Sequence, residues 1–250
     1  MVRGFESFKK CFGGYENQYI IIGGTACDLI MADEEMEFRA TKDIDMVLIV
    51  EALTTDFVNK LWEYIKEAEY EHKNKGTGEA QFYRFSNPKD KSYPTMIELF
   101  ARETGVIELD AHSQLTPLPM EDDISSLSAI LLNNEYYEFL KSGQRIIDGV
   151  PLLRQEYLIP FKAKAWLDLS NKKKNGETID SRDIRKHKND ILRLSVLITK
   201  EDKIYLPIEI KHDMQNFIAT IKDEPIDMKA IGLGNITKEE FLELIQNCYL

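Results

Sequence analysis

Residues 20–50 read IIIGGTACDLIMADEEMEFRATKDIDMVLIV. A short apolar strand over 19–22 runs into Gly23-Gly24-Thr25, where a helical pattern opens. A second apolar run then starts on two acids, Asp43 and Asp45. In a strand, residues i and i+2 share a face. Asp43 and Asp45 therefore project together, and Ile44 and Met46 project the other way. Two carboxylates on one face repel each other and resist burial. The arrangement makes sense with a cation between them, and Mg²⁺ (or Mn²⁺) takes hard oxygen ligands while keeping room for substrate phosphates. Spacing alone leaves a second reading open, in which Asp43 caps a turn and Asp45 faces solvent. A strand ending in Gly-Gly lets backbone come close to a ligand. The helix that Thr25 begins has unpaired N–H groups and a positive dipole end, both favouring phosphate. Plain turn chemistry accounts for the glycines equally well.

Working outward, the chain has 250 residues, 43% of them hydrophobic and 30% charged, as in an ordinary globular protein. No apolar run approaches the roughly 20 residues of a membrane span. The start of the chain has no long apolar stretch of the secretory kind. Cys11, Cys27 and Cys248 lack metal-ligand spacing and argue against a disulfide framework, so a cytoplasmic location is expected. A net charge of −11 opposes nonspecific binding to nucleic acid.

Helical spacing of Phe57, Val58, Leu61, Trp62 and Ile65 predicts a helix over 55–70, with Thr54 or Thr55 as N-cap. QFYRFS (81–86) alternates as a strand, and NKGTG (74–78) reads as a turn. In TMIELFAR, Glu98 stands among Met96, Ile97, Leu99 and Phe100, an unusual place for a carboxylate. An edge strand with Glu98 outward is the plain reading. GVIEL (105–109) reads as one more strand, and TPLPMEDD (116–123) as a linker into a helix over 122–140. QRIIDGVPLLR holds two short strand-like pieces about the turn pair Asp148-Gly149. EYLIPFKAKAWLDL and DSRDIRKHKNDILRLSVLI read as helices, with the polar loop NKKKNGET between them; 205–222 and 237–248 read as two more. The organisation expected is an α/β domain over 1–118 and a mostly helical domain over 119–250.

The pattern Gly23-Gly24-Thr25, then Arg39-Ala40-Thr41-Lys42-Asp43-Ile44-Asp45, then a strand carrying Glu98, resembles the DNA polymerase beta-type nucleotidyltransferase superfamily. RATKDID is similar to the branch of AbiEii-like toxins of abortive-infection and toxin–antitoxin systems. The resemblance covers roughly residues 19–101. It implies a mixed α/β (α+β) sheet with flanking helices followed by a helical domain. It further implies Asp43, Asp45 and Glu98 as metal ligands that together would hold two metal ions, Glu98 as the third carboxylate that also helps activate the attacking hydroxyl, and Gly23, Gly24 and Thr25 as the triphosphate cradle. Arg39 and Lys42 would add positive charge nearby.

Wound as a helix, 181–198 places Ile184, Ile191, Leu194, Ser195 and Ile198 on one arc. His187 and Lys188 interrupt it, and Asp190 lies on its flank. Lys162 sits among Leu158, Phe161, Ala165 and Leu169, whereas Lys164 and Asp168 at i, i+4 read as a salt bridge. The AbiEii-like branch usually has a lysine on one C-terminal helix and a Lys-Asp-x-x-Asp-like motif on the next. PFKAKAW and RKHKNDIL are similar in position and order, which implies nucleotide-binding roles for Lys162, Lys188 and Asp190. The departure is His187, with Asn189 close by, where an acid is expected. Lys172–Lys174 read as a solvated loop.

The expected activity is metal-dependent transfer of a nucleotidyl group from a nucleoside triphosphate, held between the two halves, to a hydroxyl of RNA, protein or a small molecule. An antitoxin protein would be the partner in a toxin–antitoxin setting, and no membrane is involved. Two other readings stand beside it. One is a degenerate nucleotidyltransferase fold that binds nucleotide or a protein without chemistry. The other is a small-molecule nucleotidyltransferase of the antibiotic-modifying type.

Overall fold

The computed structural model describes residues 2–72, 81–101, 130–131 and 133–250. The predicted turn at 74–78, the strand at 105–109 and the linker at 116–123 lie outside the described residues. Two compact units form. One is built from the described residues of Met1–Met120 together with Gln144–Arg154, the other from those of Glu121–Gly143 and Gln155–Leu250.

In the first unit, α1 (Phe5–Phe12), β1 (Tyr19–Ile22), α2 (Gly23–Asp33), β2 (Asp43–Leu48), α3 (Thr55–Glu67), β3 (Glu71–His72), β4 (Gln81–Ser86) and β5 (Met96–Ala101) follow in order. The Thr54 hydroxyl caps α3 by accepting from the Phe57 N–H. β6 (Gln144–Ile147) and β7 (Val150–Leu153) complete a mixed sheet of order β3-β4-β5-β2-β1-β7-β6. β2 runs antiparallel to β1 and parallel to β5, and β4 runs antiparallel to β5.

One face of this sheet is apolar. Tyr19, Ile21, Ile44, Met46, Phe85, Ile97 and Leu99 are buried along it. Tyr19 meets Phe8 and Phe12 of α1 and Phe57 of α3, which places those two helices on that side.

A single cut between 118 and 119 leaves the β6–β7 hairpin with the helices, but it adds to the sheet through the parallel pair Ile21↔Leu152. Its turn residues, Asp148 (φ 50°) and Gly149 (φ 77°), both take the left-handed region that a two-residue type I′ hairpin requires. Val150, Leu152 and Leu153 are buried. The open flank of β1 draws this strand pair back.

The second unit holds α4 (Asn134–Ser142), α5 (Gln155–Lys174), α6 (Ser181–Leu194), α7 (Ile208–Ile221) and α8 (Lys238–Tyr249). The Asn133 side chain caps α4. Pro160 lies inside α5 and has no N–H to give the Glu156 carbonyl. The Tyr249 hydroxyl of α8 donates to that carbonyl instead, at 2.7 Å. Among the described residues, no helix is long and apolar enough to cross a membrane.

Candidate active site

Strand alternation puts Asp43 and Asp45 on the face of β2 opposite to the buried Ile44 and Met46. The parallel register sets Asp45 directly beside Glu98 of β5. Glu98 thus points to the same face as the two aspartates, not outward from an edge strand. Burial pushes the Glu98 carboxyl up to about 8, and the adjacent Asp45 carboxylate pushes the same way; Arg84 lowers it without cancelling the rise. Asp43 stands one pleat from Asp45, about 6.6 Å along the strand. Among the described residues, no three His, Cys, Asp or Glu side chains converge as a ready-made metal cluster. The close association is the Asp45–Glu98 pair, with Asp43 next to it on the same face.

The helix α2 covers this end. Gly23 has φ 68°, and a Cβ there would land on the Asp45 carboxylate. A Cβ on Gly24 would lie 2.8 Å from Thr41 Oγ1 and 3.2 Å from Arg39 Nη2. The Thr25 hydroxyl, buried, donates to the Asp43 carbonyl at 2.5 Å, and the Cys27 thiol donates to the Gly23 carbonyl at 3.1 Å. These two bonds hold the first turn of α2 against the acid end of β2. No side chain caps the start of α2. Arg39 stands over the Phe38 ring at 5.2 Å, with Nη2 beside Gly24. Gly23, Gly24, Thr25, Arg39, Asp43, Asp45 and Glu98 therefore gather in one place. Lys42 is exposed.

One residue at this site was not legible in the sequence. Arg84 faces Glu98 across β4 and β5, and its Nε and Nη2 each lie 2.8 Å from Glu98 Oε1. The pairing depends on the β4–β5 register, which alternation within QFYRFS does not reveal.

The remaining candidates lie in the helical unit. Lys162 Nζ donates to Asp190 Oδ2 at 2.8 Å, joining α5 to α6; Lys162 is 5% exposed and Asp190 0%. This partner explains why Asp190 is buried rather than on the flank of the helix. Lys188 Nζ donates to the Pro225 carbonyl at 3.2 Å and lies 3.4 Å from Glu224 Oε2. Lys164 is 3.4 Å from both Asp168 and Asp213, and Asp213 also accepts from the Tyr136 hydroxyl at 2.9 Å. Lys172–Lys174 form the last turn of α5.

The donors at the acid end fit a hard divalent cation. They are carboxylates only, and Asp45 and Glu98 are direct neighbours in the strand register.

No protein-family model matches the sequence, and no curated protein matches it. Solved structures are similar to it, among them the following two. One is an antigenic nucleotidyltransferase-like protein from Paracoccidioides brasiliensis, with TM-score 0.44 and 16% identity over 90% of this chain and 88% of that one. The other is the Megavirus polyadenylate synthase, with TM-score 0.40 and 12% identity over 88% of this chain and 37% of that one. At such distances the roles of individual residues rest on the side chains themselves.

Proposed function

We propose that the chain is a metal-dependent nucleotidyltransferase that moves a nucleotidyl group from a nucleoside triphosphate to an acceptor hydroxyl, using Mg²⁺ or Mn²⁺. The observation that carries this reading is the register Asp45↔Glu98, with α2 opening from Gly23 directly over that pair. Asp43 and Asp45 would hold the cation, with Glu98 beside them. When bound there, a divalent cation supplies charge neutralisation to the phosphates and polarises the group in attack.

The chain's own residues supply the rest. Gly23 and Gly24 present no side chain, so phosphate oxygens can reach the first N–H groups of α2. Arg39 adds positive charge beside Gly24. Glu98 in its carboxylate form, which burial makes a stronger base, takes the proton of the attacking hydroxyl. The hydroxyl oxygen bonds to the α-phosphorus, the bond from that phosphorus to the bridging oxygen breaks, and pyrophosphate leaves with the electron pair. The sequence resemblance alone adds a biological setting, a toxin held by an antitoxin, with RNA or protein as acceptor.

The test is incubation of the purified protein with each α-labelled triphosphate, Mg²⁺ and either total RNA or cell lysate. Label should pass to an acceptor, and Asp43→Asn or Asp45→Asn should reduce transfer at least ~100-fold. The Arg84–Glu98 ion pair favours a second reading, in which the fold binds nucleotide without chemistry, because it ties up the proposed base. Triphosphate binding without transfer from any of the four nucleotides decides for that second reading.

A further inference from the structure

We infer that the acid end takes one divalent cation per chain, and that the Arg84 guanidinium stands where a second cation would contact Glu98. This rests on the metal site proposed above. Three carboxylates on neighbouring strands are enough to hold a pair of cations 3.5–4 Å apart, the arrangement that clamps both reacting oxygens of a phosphoryl transfer. In this chain the third carboxylate is already engaged. Arg84 lies opposite Glu98 in the β4–β5 ladder and directs both Nε and Nη2 to the same oxygen, Oε1, at 2.8 Å each. The arginine is largely buried, with its side chain 21% exposed against 12% for Glu98, so the pair is not a loose surface contact. On the other side of Glu98 the parallel ladder sets Asp45 beside it.

A guanidinium cannot lose its charge in a protein. It therefore repels any cation that would bridge Asp45 and Glu98, at a separation short enough to escape salt screening. Arg84 offsets whatever negative charge Glu98 carries, which leaves the two charges of Asp43 and Asp45. One divalent cation balances that sum, and the carboxylates on the α2 side of the group, Asp43 and Asp45, are its natural ligands. The planar fork of Arg84 also fixes Glu98 in one orientation, so the residue acts by positioning the carboxylate as well as by its charge.

Mn²⁺ alone is the probe, because it needs no knowledge of base or acceptor. Electron paramagnetic resonance of the titrated protein gives the number of bound ions, and a coupled low-field multiline pattern marks two ions a few ångströms apart. The wild-type chain should bind one Mn²⁺ with an uncoupled six-line signal. Arg84→Met, which keeps length and removes charge, should bind two with the coupled pattern. Arg84→Lys, which keeps the charge, should stay at one. A coupled pair in the wild type, or a single ion in a folded Arg84→Met, overturns the inference and leaves the metal site standing. Absence of any bound Mn²⁺ in all three proteins overturns the metal site and the inference together. Should Arg84→Met not fold, the wild-type count decides by itself: one ion supports the inference and two overturn it.

Discussion

Gly23 answers to two constraints at once. Its φ of 68° is costly for any residue with a Cβ, and that Cβ would collide with the Asp45 carboxylate. Gly24 is different: the atoms a Cβ would meet are the ends of the Thr41 and Arg39 side chains, which can shift. Gly23→Ala should therefore destabilise the protein by on the order of 2–4 kcal/mol, whereas Gly24→Ala should stay within about 1 kcal/mol. Denaturant titration of both variants checks the contrast, and equal costs would remove the special role of Gly23.

Glu98 supplies a second test. Its ordinary value of 4.5 applies to the unfolded chain, and its folded value is raised to about 8. Between those limits the folded state binds more protons than the unfolded state, so stability falls as pH rises from about 4.5 to about 8 and then levels. With a chelator present, Glu98→Gln should flatten that slope and gain on the order of 2–4 kcal/mol at pH 8. An unchanged slope would show that Glu98 ionises as freely folded as unfolded.

The acids were legible because alternation and apolar context single them out in one strand each. Arg84 was not, since its meaning lies in which strand it faces.

At the scale of elements, local periodicity carried most of the reading. β1, β2, β4, β5, the hairpin about Asp148-Gly149 and the helices of the second unit from Gln155 on lie where pattern and turn chemistry put them, whereas of the helix expected over 122–140 the described residues give α4 at Asn134–Ser142. NKKKNGET departs from the expected loop, since α5 continues through Lys174. Three lysines in a last turn complement the negative end of the helix dipole, and this favours helix over loop.

The Lys162–Asp190 pair sets a limit of another kind. A lysine inside an apolar stripe reads from sequence as reaching for an anion, and the anion it meets among the described residues is a buried carboxylate on the next helix. Lys162→Met should then cost about 3–5 kcal/mol, because a buried carboxylate loses its counter-charge. Adding Asp190→Leu to Lys162→Met should recover most of that loss. If Lys162→Met instead leaves the melting temperature unchanged while weakening triphosphate binding, the lysine serves the nucleotide and not the helix pair.

At the scale of the whole molecule, the unexpected feature is a sheet assembled from two separated parts of the chain. Composition shifts near residue 115 and suggests a single boundary there, because helical texture dominates the C-terminal half of the sequence. The strands at 144–153 are too short and too far along the chain for any local signal to attach them to β1. Pairing between distant strands is decided by which edge remains open, and that is a property of the folded unit.

The hairpin's allegiance has an energetic signature. Leu152 is fully buried opposite Ile21, so Leu152→Ala should cost about 2–5 kcal/mol. If the hairpin belongs to the sheet, that loss falls on the first unit. Amides of β1 and β2 should then exchange with deuterium faster, tenfold for each 1.4 kcal/mol lost, while amides of α5 and α6 keep their rates. Mass spectrometry of peptides covering 19–48 and 155–194 separates the two responses. Faster exchange in 155–194 with 19–48 still protected would return the hairpin to the helical unit and restore the boundary at 118/119. Equal acceleration in both would mean that the two units open as one.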